Sequence, residues 1–210
     1  MHLTSGNLTE LIRRRFRGTE PPQDFSPRRV LGDLPPDFLP RPPWKPASVL
    51  VPVVQRPEGH TVLLTRRTKR LQDHAGQVSF PGGGREHRDA DPVETALRET
   101  EEEIGLARRH VEVVGYLQGY LTVSAYAVTP VVGLVTPEFR LTPDPLEVAE
   151  VFEVPLLFLA DPLNRRVQEW QLDGHNVGYY QFEYQGHVIW GATAAMLASF
   201  LDALTEEAAK

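Results

Sequence analysis

The sequence predicts an α/β fold of the mixed α+β kind, a mixed β-sheet sandwiched between helices. Three observations lead there. The 210 residues are 41% hydrophobic and 24% charged, the balance of a globular domain with its own core. Strand-like and helical segments interleave without a strict βαβ rhythm, which favours a mixed sheet over a doubly wound one. Nine of the nineteen prolines crowd into residues 21–46, so regular structure is concentrated elsewhere.

In chain order, residues 1–20 read as a short helix capped near Thr4 or Ser5. Arg13, Arg14, Arg15 and Arg17 lie toward its C-terminal end, where the macrodipole favours cations. The same basic run has a second reading, as an amphipathic anchor or transit segment. Residues 21–46, with Pro21-Pro22, Pro35-Pro36 and Pro42-Pro43, read as an extended arm, because proline lacks the amide donor and restricts its predecessor. The expected division is therefore an N-terminal helix and arm over 1–46 and a main domain over 47–210. Within that domain, β-branched runs at 47–54 and 61–65 flank a turn at Pro57-Glu58-Gly59 and form a pair of strands. A helix runs from Pro92 to Ile104 and stops at Gly105. Further strands are expected at 111–117, 127–135, 150–154 and 178–184. A closing helix over 192–204 places Ala195, Met196, Ser199 and Phe200 at helical spacing.

Charge and composition narrow the functions available. The net charge is −6, so the chain as a whole repels polyanions, and non-specific nucleic-acid binding is not expected. A phosphate-bearing ligand must then be held by a local basic patch or a metal ion. The absence of cysteine excludes disulfides, thiolate zinc sites and a catalytic thiol, and is compatible with a reducing compartment. The N-terminus lacks the run of about seven apolar residues of a secretion signal. The uncharged stretch 117–137 is broken by Pro130 and carries Thr, Ser, Tyr and Gln, unlike a bilayer-crossing helix. A cytoplasmic protein with no membrane partner is expected; the sequence leaves the oligomeric state open.

The chemistry lies between Gly82 and Leu106. With Glu99 at zero on a helical wheel, Glu103 falls near 40° and Glu102 near −60°, so three carboxylates share one face. Val93, Ala96, Leu97, Thr100 and Ile104 fall on the core side, while Glu101 points toward solvent. Like charges at these spacings cost a few tenths of a kcal/mol per pair, and acids are misplaced at a helix C-terminus. A hard divalent cation such as Mg²⁺ reverses both penalties. The competing reading is a solvated acidic face relieved by Arg98. Pro81-Gly82-Gly83-Gly84, just upstream, permits positive φ and a close approach of backbone amides to an anion. Turn and acidic helix together point to metal-bridged binding of a phosphate ester or anhydride.

Gly84 through Leu106 resembles the Nudix box: Arg98, Glu99, Glu102, Glu103, Gly105 and Leu106 match its Arg-Glu-apolar-any-Glu-Glu-any-Gly-apolar end. Two departures stand out. The box's first glutamate falls on Ala90, with Asp89 as its counterpart if one residue is inserted, and Thr100 replaces a large apolar residue. The resemblance implies a Nudix-type fold and hydrolysis of nucleoside diphosphates linked to another moiety, with Mg²⁺ or Mn²⁺ on the glutamates. Residues 63–68 (Leu-Leu-Thr-Arg-Arg-Thr) and 74–83 (His-Ala-Gly-Gln-Val-Ser-Phe-Pro-Gly-Gly) are similar to the segment marking the coenzyme A pyrophosphatase branch. Gln72 stands there in place of the usual arginine. Residues 128–133, 147–155 and 189–194 also match, so the resemblance spans roughly 47–204.

The implied reaction cleaves coenzyme A, or a derivative, to 3′,5′-ADP and 4′-phosphopantetheine. Glu99 and Glu103 are the first candidates for metal ligands. Glu102 is open to a second metal, to the role of base on the attacking water, or to a plain ion pair. Glu147 and Glu150 are the alternative bases. Arg98 is a candidate for the catalytic machinery through orienting a carboxylate, and Glu86 for an outer ligand. Arg66, Arg67, His74, Phe80, Gly82, Gly83 and Gly84 are the substrate-binding candidates, with Lys69 and Arg70 adding to the local positive charge. Other substrates consistent with the motif are ADP-ribose, a dinucleoside polyphosphate or a capped RNA end. A non-catalytic nucleotide sensor is the remaining alternative.

Overall fold

The computed structural model describes residues 7–26, 31–32, 35, 38–70, 74–172 and 174–205. Its elements are α1 (Leu8–Phe16), β1 (Phe25–Ser26), β2 (Leu31–Gly32), β3 (Lys45–Arg56), β4 (Gly59–Arg67), β5 (Val78–Ser79) and β6 (Gly82–Gly84). Then come α2 (Pro92–Ile104), β7 (Val111–Tyr116), β8 (Gly119–Leu121), β9 (Tyr126–Val135), β10 (Val148–Pro155) and α3 (Leu156–Ala160). The chain closes with β11 (Arg166–Leu172), β12 (His175–Tyr184), β13 (His187–Ile189) and α4 (Gly191–Thr205).

A nine-stranded mixed sheet runs β1-β8-β9-β3-β4-β10, with β5 on β4, β6 on β3 and β7 on β9. Its centre is the parallel pair β3–β9, in register from Lys45↔Tyr126 to Val54↔Val135. Both faces are covered, which is why the 49–54 stretch reads as an unbroken apolar run rather than an alternating one. On one face Leu50, Val54 and Leu63 pack with Ala96, Leu97 and Ile104 of α2. On the other, Val51, Val53, Val62 and Leu64 share a cluster with Leu8, Ile12 and Phe16 of α1 and Leu197, Phe200 and Leu204 of α4. Phe16 stacks on Phe200 at 5.7 Å.

Besides Pro46 at the start of β3, Pro52 and Pro130 sit well inside central strands, where a missing amide would ordinarily cost a ladder bond. Each falls in a gap. Pro52 lies between the part of β3 that pairs with β6, Ala47–Val49, and the part that pairs with β4, Val53–Arg56. Pro130 lies between the segments of β9 that pair with β8 and with β7. The gap at Pro52 is where β3 changes partners, and it admits the glycine strand β6 beneath α2.

The main expected strands and the helices 92–104 and 192–204 are present within one or two residues of their bounds in most cases. Several features differ. The first helix begins at Leu8, its N-cap position is Asn7 with no side-chain cap bond, and Thr4 and Ser5 lie outside the described residues, as does Gln72. The proline-rich stretch contributes two short strands, β1 on β8 and β2 on β12. A second, four-stranded sheet, β11-β12-β13 with β2 on β12, extends well beyond the single strand expected at 178–184. Its β11 is polar and unpatterned (Arg-Val-Gln-Glu-Trp-Gln-Leu), so periodicity carries no strand signal there. Among the described residues no helix is long and apolar enough to cross a membrane.

Candidate active site

The site forms where α2 crosses β6. Asp91 caps α2 by accepting the Glu94 amide at 2.9 Å, Pro92 occupies the first turn, and Gly105 ends the helix at φ 70 with its N–H on Glu101 O at 3.0 Å. The loop after β9 docks on the C-terminal end of α2. The Thr142 N–H donates to Ile104 O at 2.8 Å and the Asp144 N–H to Glu103 O at 2.9 Å. Two carbonyls that a helix end leaves orphaned are thereby satisfied, and Glu147 is brought close enough to raise the proton affinity of both Glu99 and Glu103.

Beneath α2, the glycines are a packing device rather than an open turn. Gly82, Gly83 and Gly84 pair with Val49, Ser48 and Ala47 as an antiparallel strand. Gly82 has φ +149, and a Cβ there would collide with the Ser48 carbonyl and the Val49 Cα. A Cβ on Gly83 would lie 2.6 Å from the Glu99 carboxyl carbon. The expected amide cradle for an anion is therefore corrected: the Gly82 N–H already donates to Glu103 Oε2 at 3.0 Å, and Gly84 O accepts from Arg98. Gly83→Ala should displace Glu99 and cut turnover about tenfold or more, while Gly84→Ala, with nothing within 4 Å of its Cβ, should leave activity within about twofold. Steady-state rates of the two variants check this.

The three glutamates do not behave alike. Glu103 is 4% exposed, and burial, with Glu147 and Glu99 nearby, pushes its carboxyl up to about 7 against the pull of the Gly82 amide and Arg67. Glu99 is half-buried and shifted upward by burial, partly offset by Arg98 Nη2 at 2.9 Å. Glu102 faces elsewhere: half its side chain is exposed, and its oxygens meet Arg98 at 2.8 Å and Arg88 at 3.1 Å. The wheel placed it at the edge of the same face, and the two arginines draw it away. Glu101, expected in solvent, is clamped by Arg108 at 2.9 Å.

Arg98 is the hub of this arrangement. Its Nε and Nη2 donate to the two oxygens of Asp89, each at 2.9 Å, and it also reaches Gly84 O, Glu99 and Glu102. Asp89 is 4% exposed and further accepts the Glu86 N–H and the Thr95 hydroxyl. The guanidinium holds the Asp89 carboxyl well below the usual carboxylate range. Asp89 is thus the buried anchor of Arg98, a role that its position one residue before the motif's acid left open. Glu86, an outer-ligand candidate, pairs with Arg88 at 2.9 Å. Thr100 is fully buried, its hydroxyl satisfied by Ala96 O at 2.7 Å.

The substrate-binding candidates separate. Arg67 points to the glutamates, its Nη1 3.5 Å from Glu103 Oε1, and its buried Nε has no hydrogen-bond partner among the described residues. Arg66, one residue earlier, faces the other side of β4 and is neutralised by Glu150 at 2.8 Å. His74 sits in the following turn at φ 56, bonded to Gln77 at 3.0 Å. Phe80 is corrected outright: at 2% exposure it belongs to the core cluster and can touch no ligand.

The donor set suits a hard divalent ion. Among the described residues no three His, Asp or Glu side chains gather closely enough to cage a metal. Glu99 and Glu103 nevertheless converge on Gly82–Gly83. Mg²⁺ typically takes one or two carboxylates and leaves its remaining positions to water and substrate phosphates.

A mixed sheet between helices, with a buried arginine organising glutamates on one helix, defines a phosphoanhydride hydrolase of the kind first suggested by the box at Gly84–Leu106. The NUDIX domain family matches residues 44–171, and the chain belongs to the Nudix family as a pyrophosphatase. It is 42% identical over 180 residues to a Nudix hydrolase NudL, uncharacterized, of Pectobacterium atrosepticum, covering 83% of this chain and 90% of that one. A Photorhabdus laumondii protein of the same description is 41% identical over 151 residues, covering 72% and 80%. Among solved structures, this chain is similar to RenU, a Nudix hydrolase from M. smegmatis, at 23% identity and a TM-score of 0.44, over 56% of this chain and 74% of that one.

Proposed function

We propose that the enzyme is a metal-dependent pyrophosphohydrolase that cleaves the phosphoanhydride of coenzyme A, or of its derivatives, to 3′,5′-ADP and 4′-phosphopantetheine. The observation that carries this reading is Arg67. It belongs to the 63–83 segment that resembles the coenzyme A pyrophosphatase branch, and it lies 3.5 Å from Glu103 with a buried N–H lacking a hydrogen-bond partner among the described residues. An anion arriving beside Glu103 would find that donor waiting.

Glu99 and Glu103 would hold Mg²⁺ or Mn²⁺. When bound, such an ion neutralises anhydride charge and acidifies water. The chain's own residues supply the rest. Arg98, fixed by Asp89, orients Glu99 and draws Glu102 out of the site. Arg67 meets the substrate's phosphate oxygens. For the base that takes the water's proton, Glu147 is favoured over the two other candidates. Glu102 is held by two arginines, and Glu150 is paired with Arg66 on the far side of β4. Glu147 is exposed beside Glu99 and Glu103 and carries no ion-pair partner among the described residues. A reducing, cytoplasmic setting accords with the cysteine-free sequence.

The test is incubation with coenzyme A and Mg²⁺ or Mn²⁺ in water enriched in heavy oxygen, with products identified by mass. The expected products are 4′-phosphopantetheine and 3′,5′-ADP, one of them carrying the label. Removing the 3′-phosphate from the substrate should lower kcat/KM by about tenfold or more. Folded enzyme that turns over ADP-ribose but leaves coenzyme A intact would overturn the substrate assignment while keeping the reaction class.

A further inference from the structure

A groove of about 630 Å³ opens beside Arg66, between the 75–78 segment and the β12–β13 hairpin with the Trp190 that follows it. Side chains alternate along a strand. Leu63 packs under α2 while Val62 and Leu64 pack toward α1 and α4, so Arg67 and Arg66 fall on opposite faces of β4. One residue step therefore separates the glutamate site from this groove. Gln77, in the groove wall, accepts the Arg67 N–H through its backbone carbonyl at 2.9 Å, and the chain runs from it to Gly82 within about 18 Å.

The groove's charges are spent on one another. Arg66 donates from Nε and Nη2 to Glu150 Oε2 at 3.0 and 2.8 Å. The other Glu150 oxygen lies 3.5 Å from His187 Nε2, and the His187 ring is stacked on Phe152 at 3.8 Å. Among the described lining residues, what remains is uncharged: the Gln77 amide nitrogen, whose Oε1 meets His74 at 3.0 Å, the Gln185 amide oxygen, whose Nε2 donates to the Tyr184 hydroxyl at 3.2 Å, and apolar surface on Val188 and Trp190. Val188 and Trp190 are 44% and 39% exposed and both lie in the lining of the groove, where they offer apolar surface to a ligand. The indole is braced by Tyr179 at 6.0 Å between ring centres, which keeps it in place when empty.

Such a surface gains nothing from a phosphate and matches an uncharged chain with amide groups spaced along apolar carbon. We infer that the β12–β13 hairpin and Trp190 seat the pantetheine arm of the substrate, packing it on the indole and Val188 and hydrogen-bonding its amides through Gln77 and Gln185. This rests on the coenzyme A reading and adds to it a division of labour. Arg66, neutralised by Glu150, belongs to the groove wall rather than to recognition of the 3′-phosphate. The arm's distal end lies toward Trp190.

Inhibition of coenzyme A hydrolysis by the two isolated halves of the substrate tests this. Trp190→Ala should weaken inhibition by 4′-phosphopantetheine about tenfold and leave inhibition by 3′,5′-ADP within about twofold. Val188→Ser, at an exposed hairpin position that folding tolerates, should act in the same direction by about threefold, and it reads the groove even if the tryptophan variant fails to fold. Equal weakening of both inhibitors, or no change for 4′-phosphopantetheine in either variant, overturns the inference while leaving the coenzyme A reading intact. A folded wild-type enzyme without coenzyme A turnover removes that reading, and the inference with it.

Discussion

Glu103→Gln is expected to lower turnover by at least about a hundredfold, since it removes one of the two carboxylates meant for the metal. In chelator the same substitution should make the protein more stable. Burial raises the Glu103 carboxyl from 4.5 to about 7, so between these values the folded state binds more protons than the unfolded state. Its contribution to stability is full below about pH 4.5 and is lost as pH rises through about 7. Glutamine does not titrate and can still accept the Gly82 amide. Urea unfolding should show little difference from wild type at pH 5 and a gain on the order of 2 kcal/mol for the variant at pH 8. Equal stability at both pH values would mean that the buried carboxylate is not strained. Such strain fits a binding site whose stabilising partner is a ligand rather than a side chain.

Asp89→Ala is expected to be the most destabilising single change at the site, by about 3 kcal/mol or more. It leaves Arg98, 9% exposed, without its bidentate partner, and removing one member of a buried pair strands the other's charge. Glu99 and Glu102 remain as partial compensation. Asp89→Asn should cost less, because the amide oxygen still accepts one guanidinium N–H. The sign in pH is opposite to that of Glu103. A carboxyl held below its ordinary range contributes stability above about pH 4, lost only as pH falls toward its depressed folded value. Acid unfolding should therefore begin at higher pH in Asp89→Ala than in wild type. Turnover should fall as well, because Arg98 no longer holds Glu99 against Gly83. Comparison of the kcat losses in Asp89→Asn and Asp89→Ala, both measured on folded protein, separates positioning from bulk stability.

The helix carrying the glutamates was legible from residues alone. Pro92 and Gly105 mark its ends by local chemistry that no tertiary contact needs to supply, and the structure adds Asp91 as its N-cap. The strands flanking Pro57–Gly59 were legible because β-branched runs announce themselves. The role of Asp89 was not, since anchoring an arginine nine residues on depends on how the loop folds back over α2. The hairpin with Trp190 was not either: β11 has no periodicity, and β13 spans only three residues.

Glu102 shows the boundary most clearly. Its angle on the wheel follows from 3.6 residues per turn, whatever surrounds the helix. Whether its carboxylate turns inward or outward is settled by Arg88 and Arg98, one of them reaching it from a loop fourteen residues away. The helix and its spacing of acids thus follow from local order along the chain, which short-range geometry dictates, while the family and the class of reaction follow from the resemblance of residues 84–106 to the Nudix box. The separation of one buried glutamate from its exposed neighbour, and of Arg67 from Arg66 across the two faces of β4, comes only with the packed fold. Burial and charge pairing are properties of distant segments brought together, and no stretch of the chain holds them alone.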